Sequence, residues 1–203
     1  MKLIALTRTT ALAALTLAAV STQADAVIGS PAPAFSLPDT GGRTHSLSQY
    51  AGKWVVLEWV NYDCPFVGKH YNSGNMPSLQ KEYTGKGVVW LSINSSAAGK
   101  QGHFTPEVIQ QRSSKYGAAF SAYLLDPAGT VGRAYGAKTT PHMYVISPEG
   151  KLVYAGGIDD RATTELADIQ GARNYVREAL DAAMAGRPVT TATATPYGCS
   201  VKY

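Results

Sequence analysis

From residue 54 the chain reads Trp-Val-Val-Leu-Glu-Trp-Val, apolar at odd and even positions alike and rich in β-branched and aromatic side chains. That pattern predicts a central strand covered by helices on both faces. A second run of the same kind, Val-Val-Trp-Leu-Ser-Ile, occupies residues 88–93. Tyr123-Leu124-Leu125 predicts a short third strand, and residues 142–146 and 151–155, separated by Pro148-Glu149-Gly150, predict an antiparallel hairpin. A helix is expected from Cys64-Pro65, broken at Asn72-Ser73-Gly74-Asn75 and resumed over residues 76–83. Thr105-Pro106-Glu107 has the hydroxyl, proline and acid of a helix start, and Gly117 supplies the stop. Residues 131–135 allow one or two further helical turns. From Asp168, the apolar residues Ile169, Ala172, Val176, Ala179, Leu180 and Ala183 recur every three or four positions, predicting an amphipathic helix that ends at Gly186 and Pro188. The order strand, helix, strand, helix, strand, hairpin, helix describes an α/β fold with one mixed sheet flanked by helices.

The flanks read differently. Residues 27–49 form a proline-punctuated lead-in with a small hairpin turning at Gly41-Gly42, and residues 94–104 a polar loop that could cover a site. Residues 190–203 are threonine-rich and without periodicity, the pattern of a loose tail. At the other end Lys2 and Arg8 precede an apolar run over residues 11–20 and then Ala24-Asp25-Ala26, which predicts a secretory signal peptide cleaved after Ala26. The apolar run is too short to span a bilayer, so no stable membrane insertion is expected after cleavage. The predicted organisation is a signal peptide over 1–26, one domain over 27–187 and a C-terminal tail over 188–203.

Composition adds limits. Of 203 residues, 45% are hydrophobic and 16% charged, which suits one compact domain with extensions. Without the leader, 16 basic and 13 acidic residues remain, a net of +3. They are scattered, and no basic patch with interleaved aromatics marks a nucleic-acid partner. Export, to a periplasmic or secreted location, places Cys64 and Cys199 in an oxidising compartment where they can pair in one intrachain way. Cys64 follows an apolar strand and precedes a proline that can open a helix. Unpaired N–H groups and the positive dipole end at a helix start favour thiolate over thiol. Glu58 is the anomaly within its apolar strand.

Taken in order, Gly29-Ser-Pro-Ala-Pro-Ala-Phe35, Cys64-Pro65-Phe66-Val67, Thr140-Pro141 and the closing Gly198-Cys199-Ser200-Val201-Lys202-Tyr203 resemble the thioredoxin superfamily, and within it the peroxiredoxin-like (redoxin, AhpC/TSA-like) branch, over essentially the whole mature sequence. The resemblance implies a thioredoxin-like fold with an N-terminal extension and a C-terminal tail. It puts Cys64 at the position of the attacking cysteine, Pro141 at that of the facing cis-proline, and the Thr140 backbone against a substrate disulfide. It also puts Glu58, six residues before Cys64, at the position of a buried acid that could move a proton to or from a thiol. A satisfied structural carboxylate is the alternative for that residue.

The departures from the family pattern shape the functional expectation. Val67 stands where thioredoxins keep a second cysteine, Gly68 where copper-delivery relatives do, and Leu57 and Asn61 where peroxiredoxins carry proline and Thr/Ser. Cys199 is then the one intrachain partner for Cys64. It could close on it by way of a flexible linker over residues 190–196, or form an inert disulfide that pins the tail, worth about 4–5 kcal/mol for a loop of roughly 100 residues. Tyr62 and Asp63 could shape access, Asp63 opposing thiolate formation, and Lys69 and His70 are expected to be solvated or to add positive charge. His142 with Cys64 and Cys199 could make a soft metal site, but the spacing contains no close ligand pair, and neither a metal nor a cofactor is assigned. The expectation is an exported thiol-disulfide oxidoreductase or peroxiredoxin-like antioxidant protein. Its reactive thiol is Cys64 and its resolving partner Cys199; its partners are a protein or small-molecule disulfide or peroxide substrate and an unknown thiol electron donor. The alternative is a non-enzymatic thioredoxin-fold protein that binds copper or a partner protein and has a structural Cys64–Cys199 disulfide.

Overall fold

Successive residues of a strand point to opposite faces, so a strand buried on both must be apolar at every position. Strand β3 (Val55–Trp59) meets that condition at every position but Glu58, with Val55, Leu57 and Trp59 in one hydrophobic cluster and Val56 in the other. The computed structural model describes residues 26–203; the leader, save Ala26, lies outside the described residues. A small hairpin of β1 (Ser36–Pro38) and β2 (Thr44–Ser46) precedes β3. After it come α1 (Pro65–Asn72), α2 (Asn75–Gly85), β4 (Val89–Asn94), α3 (Pro106–Tyr116), β5 (Ala122–Leu125) and α4 (Thr130–Ala134). The chain continues with β6 (Thr139–Thr140), β7 (His142–Ile146), β8 (Leu152–Gly156), α5 (Tyr175–Met184) and β9 (Cys199–Ser200).

Five strands form the central sheet in the order β5-β4-β3-β7-β8. Strand β4 runs parallel to β3 and β5, whereas β7 runs antiparallel to β3 and β8. Residues of α1, α2, α3 and α5 pack on one face with Val56, Trp90 and Val145, and α4 packs on the other through Val131. Both faces are thus covered, as the sequence predicts. The break between α1 and α2 falls at Gly74, whose φ of 74° is a conformation that a side chain disfavours. Among the described residues no helix is long and apolar enough to cross a membrane.

Two expectations need correction. The last helix begins at Tyr175 rather than near Asp168: Leu166–Ile169 is a single 3-10 turn, Gly171 at φ 86° interrupts it, and Asn174 starts the helix afresh by accepting the Arg177 N–H. Nor is the tail loose. The Ala155 N–H donates to the Ala192 carbonyl at 3.0 Å, Thr193 bridges Ala155 beside β8, and β9 pairs antiparallel with β6. Residues 190–196 therefore run as a strap along the sheet edge instead of a free linker.

Candidate active site

Cys64 is the N-cap of α1, with Pro65 in the first turn, and is only 1% exposed. Its thiol donates to the Thr140 carbonyl at 3.0 Å. The Thr140–Pro141 bond is cis. On the other side of the sulfur, the Cys199 backbone N–H donates to Cys64 Sγ at 3.4 Å. This follows from the register of the two-stranded sheet, which sets Cys199 opposite Thr140. Both thiols are free. Four of the expected residues, Cys64, Thr140, Pro141 and Cys199, are therefore brought to one place.

The residue before Cys199 has to be glycine. A Cβ on Gly198 would stand 2.1 Å from the Thr140 carbonyl oxygen, and its φ of 137° is one that side chains disfavour. Beyond Cys199 the strap is held by the Val201 N–H to the Lys138 carbonyl at 3.0 Å and by the Ala97 N–H to the Lys202 carbonyl at 2.7 Å. The polar loop after β4 thus holds the tail. Tyr203 closes the chain: its hydroxyl donates to the Ala137 carbonyl at 2.7 Å, its ring lies against Gly129 and Gly132, and the Arg133 guanidinium sits 4.4 Å over the ring.

Burial and the neighbouring Cys64 sulfur push the Cys199 thiol up to about 11, so it keeps its proton at neutral pH. Thr140 Oγ1 is buried with no hydrogen-bond partner. Asp63 forms an ion pair with Arg112 at 2.7 Å, which offsets the charge it places beside the thiol. His142 is buried, with Nδ1 facing the Lys138 N–H at 3.3 Å and the Tyr144 hydroxyl at 3.1 Å, and burial first, then Lys138, lowers its pKa to about 4. No group of three His, Cys, Asp or Glu side chains able to hold a metal gathers among the described residues.

Glu58 is fully buried in β3 and takes hydrogen bonds from Tyr71 (2.7 Å), Gln80 (2.9 Å), Trp90 (2.8 Å) and Ser92 (3.1 Å). Burial raises its pKa against the opposing pull of these four donors. None of its hydrogen bonds reaches Cys64.

Lys69 and His70 depart furthest from expectation. Instead of being solvated, they are 1% and 0% exposed and gather with Asp159 around Tyr197 of the tail. The available signal is spacing: His70 follows Val67 by three residues and so falls on its buried face. Asp159, Tyr197 and Tyr203 carry no comparable local signal.

Residues 28–155 match the model of the AhpC/TSA family. The chain belongs to the AhpC/TSA family. This bears out the resemblance to the redoxin branch of the thioredoxin superfamily, and the order of elements bears out its thioredoxin-like fold. Over 125 residues, 62% of this chain and 64% of that protein, this AhpC/TSA member is 30% identical to thiol-disulfide oxidoreductase ResA of Bacillus subtilis strain 168. It thus spans under two thirds of that relative's length. Among solved structures, an uncharacterised conserved protein from Geobacillus kaustophilus is similar over 87% of this chain and 92% of that one, at 31% identity and a TM-score of 0.75. A protein from Chlorobium tepidum, assigned as the thiol:disulfide interchange protein DsbE, covers 64% of this chain, with 85% of its own length matched, at 26% identity and a TM-score of 0.51.

Proposed function

We propose that this AhpC/TSA-family protein is an exported thiol-disulfide oxidoreductase in which Cys64 and Cys199 are the redox couple. The observation that carries the reading is the β6–β9 pairing, which lays the Cys199 backbone against the Cys64 sulfur opposite the cis-proline. The leader read in the sequence supports export, and the likeness to a relative named thiol-disulfide oxidoreductase supports the reaction class.

The chemistry is a two-electron exchange. Cys64 thiolate attacks one sulfur of a substrate disulfide, forming a mixed disulfide and expelling the other sulfur as a thiolate that takes up a proton. Cys199, as thiolate, then attacks Cys64 Sγ; the Cys64–Cys199 bond forms, the substrate leaves as its second thiol, and an external thiol donor later restores the pair. Once Cys64 is bonded to substrate it no longer raises the Cys199 pKa by charge or hydrogen bonding, so its bonding eases the second step. In the resting thiol the Thr140 carbonyl accepts from Cys64 and places the sulfur beside the cis-proline, and that hydrogen bond is given up when the thiol ionises to attack. Glu58 serves as the scaffold of strand and helices behind the site. A disulfide substrate fits better than a peroxide, because Asn61, at the family's Thr/Ser position, is engaged with the Asp63 N–H at 2.9 Å and with the Gln101 carbonyl at 3.4 Å.

Steady-state reduction of a disulfide and of hydrogen peroxide, with Cys64→Ser and Cys199→Ser in parallel, tests the reading. Loss of disulfide turnover in Cys64→Ser, and a trapped mixed disulfide in Cys199→Ser, are expected. Turnover of neither substrate by the wild type, with tight binding of Cu(I) by the reduced protein, would replace this reading with the binding-protein alternative.

A further inference from the structure

Lys69, His70 and Asp159 are buried polar residues that the thiol chemistry does not use. All three face one side chain of the tail. The Tyr197 hydroxyl donates to Asp159 Oδ1 at 2.5 Å and lies 3.0 Å from His70 Nε2. Since the single phenolic proton goes to the carboxylate, His70 must donate from Nε2, leaving Nδ1 to accept from the Asn75 amide at 2.9 Å. That is the neutral imidazole, consistent with a His70 pKa lowered to about 3 by burial and by Lys69. Lys69 Nζ donates to the Arg161 carbonyl at 2.6 Å, stands 3.8 Å from Asp159 Oδ2, and lies 5.6 Å from the centre of the Tyr197 ring.

Helix α1 therefore does two things. Its N-cap is Cys64, and its second turn supplies Lys69 and His70, which grip the strap two residues before Cys199. With Tyr203 seated beyond Cys199, the second thiol is pinned from both sides.

We infer that Tyr197, held by His70, Asp159 and Lys69, is a latch that sets how readily Cys199 closes on Cys64, and that these four are positioning residues for the disulfide step. The inference rests on the Cys64/Cys199 couple proposed above. Its physical basis is effective concentration: a thiol confined near its partner forms an intrachain bond in proportion to that confinement. Closure removes two S–H protons and two electrons, which pass to a disulfide oxidant and reduce it to two thiols. The latch itself makes and breaks no covalent bond.

The test is the reduction potential of the Cys64/Cys199 couple, measured on the whole chain by equilibration with reduced and oxidised dithiothreitol, for wild type, Tyr197→Phe and Asp159→Asn. Opening the latch is expected to make the intrachain disulfide about tenfold less stable against the buffer, a potential less reducing by about 30 mV. Tyr197→Phe keeps the ring that packs against Phe66 and removes only the hydroxyl, so it serves if Asp159→Asn does not fold. A merely structural role would weaken the oxidised and reduced forms alike and leave the potential in place. An unchanged or more reducing potential in folded Tyr197→Phe overturns the latch. A wild type that forms no Cys64–Cys199 bond in oxidised buffer overturns the couple itself, and the latch with it.

Discussion

The carboxyl groups of Glu58 and Asp159 are both buried against side chains of α1, and their surroundings are built on different plans. Glu58 has both oxygens engaged by four donors, each from the central sheet or from a helix packed on it. Asp159 has one oxygen with no hydrogen-bond partner, and one member of its group, Tyr197, belongs to the C-terminal strap. A fully satisfied network fixes its elements in a single arrangement. A group with a member on the strap can open there while the sheet stays intact. The contrast separates what carries the site from what adjusts it.

Four measurements bear on that contrast. Glu58→Leu should have the largest effect, because it turns four buried donors toward an apolar side chain at about 1–3 kcal/mol for each. In a urea titration it is expected to lose most of its folding stability, and Glu58→Gln, which keeps one acceptor oxygen, to lose less. A loss within the ~1 kcal/mol of an ordinary substitution would remove Glu58 from the scaffold. Next, Asp159→Ala strands the Lys69 ammonium in the interior and should cost about 3–5 kcal/mol, much of it recovered by adding Lys69→Met. No recovery in the double variant would mean that the ion pair is not what holds this region.

Acid should weaken the fold, through one histidine of the latch and one beside the cis-proline. His70 and His142 stay neutral in the fold, with pKa values of about 3 and about 4, below the ordinary 6.5. Between those values and 6.5 the unfolded chain binds protons that the native chain refuses. Their contribution is complete above pH 6.5 and is lost as the pH falls toward 4, on the order of a few kcal/mol. Glu58 has the opposite sign: burial raises its pKa, so its contribution falls as the pH rises through the raised value. Denaturant titrations from neutral pH to pH 4 should show a shallower acid limb in His70→Asn than in wild type; superimposable limbs would exclude His70. The smallest effect belongs to Thr140→Val, which removes an unpaired buried hydroxyl and keeps the carbonyl that receives Cys64. Its stability should rise or fall by less than about 1 kcal/mol, and a larger loss would show that the hydroxyl has a partner after all.

The sheet and the first half of the site are legible in the chain because their signals are local. Four of the five positions of β3 are apolar or aromatic, Glu58 being the exception, and the strand ends a few residues before Cys64-Pro65 opens α1. The tail is illegible for the opposite reason. A two-residue strand has no periodicity to read, and a threonine- and alanine-rich run looks unstructured until its partners, Ala155 and Thr140, are known. Lys69 and His70 mislead similarly. Charged and polar residues on a helix default to solvent, and what reverses that here, Asp159 and Tyr197, lies some ninety and more residues along the chain. The start of α5 is missed because the apolar spacing continues through Gly171, whose backbone breaks the helix regardless of pattern.

The strap along β8 also bears on how the protein behaves in crowded solution. An uncovered lateral strand offers its N–H and C=O groups to any other chain and is a seed for edge-to-edge association. Here Asp39 bridges Leu124 at the β5 side, while Gly29 and Ser30 at one end of β8 and residues 192–194 at the other occupy the opposite border. Proteolytic removal of the C-terminal residues would take Cys199 away and also unmask part of β8. The damaged molecules would then be the ones that cluster and leave solution, so a nicked population should lose its soluble fraction together with its second thiol.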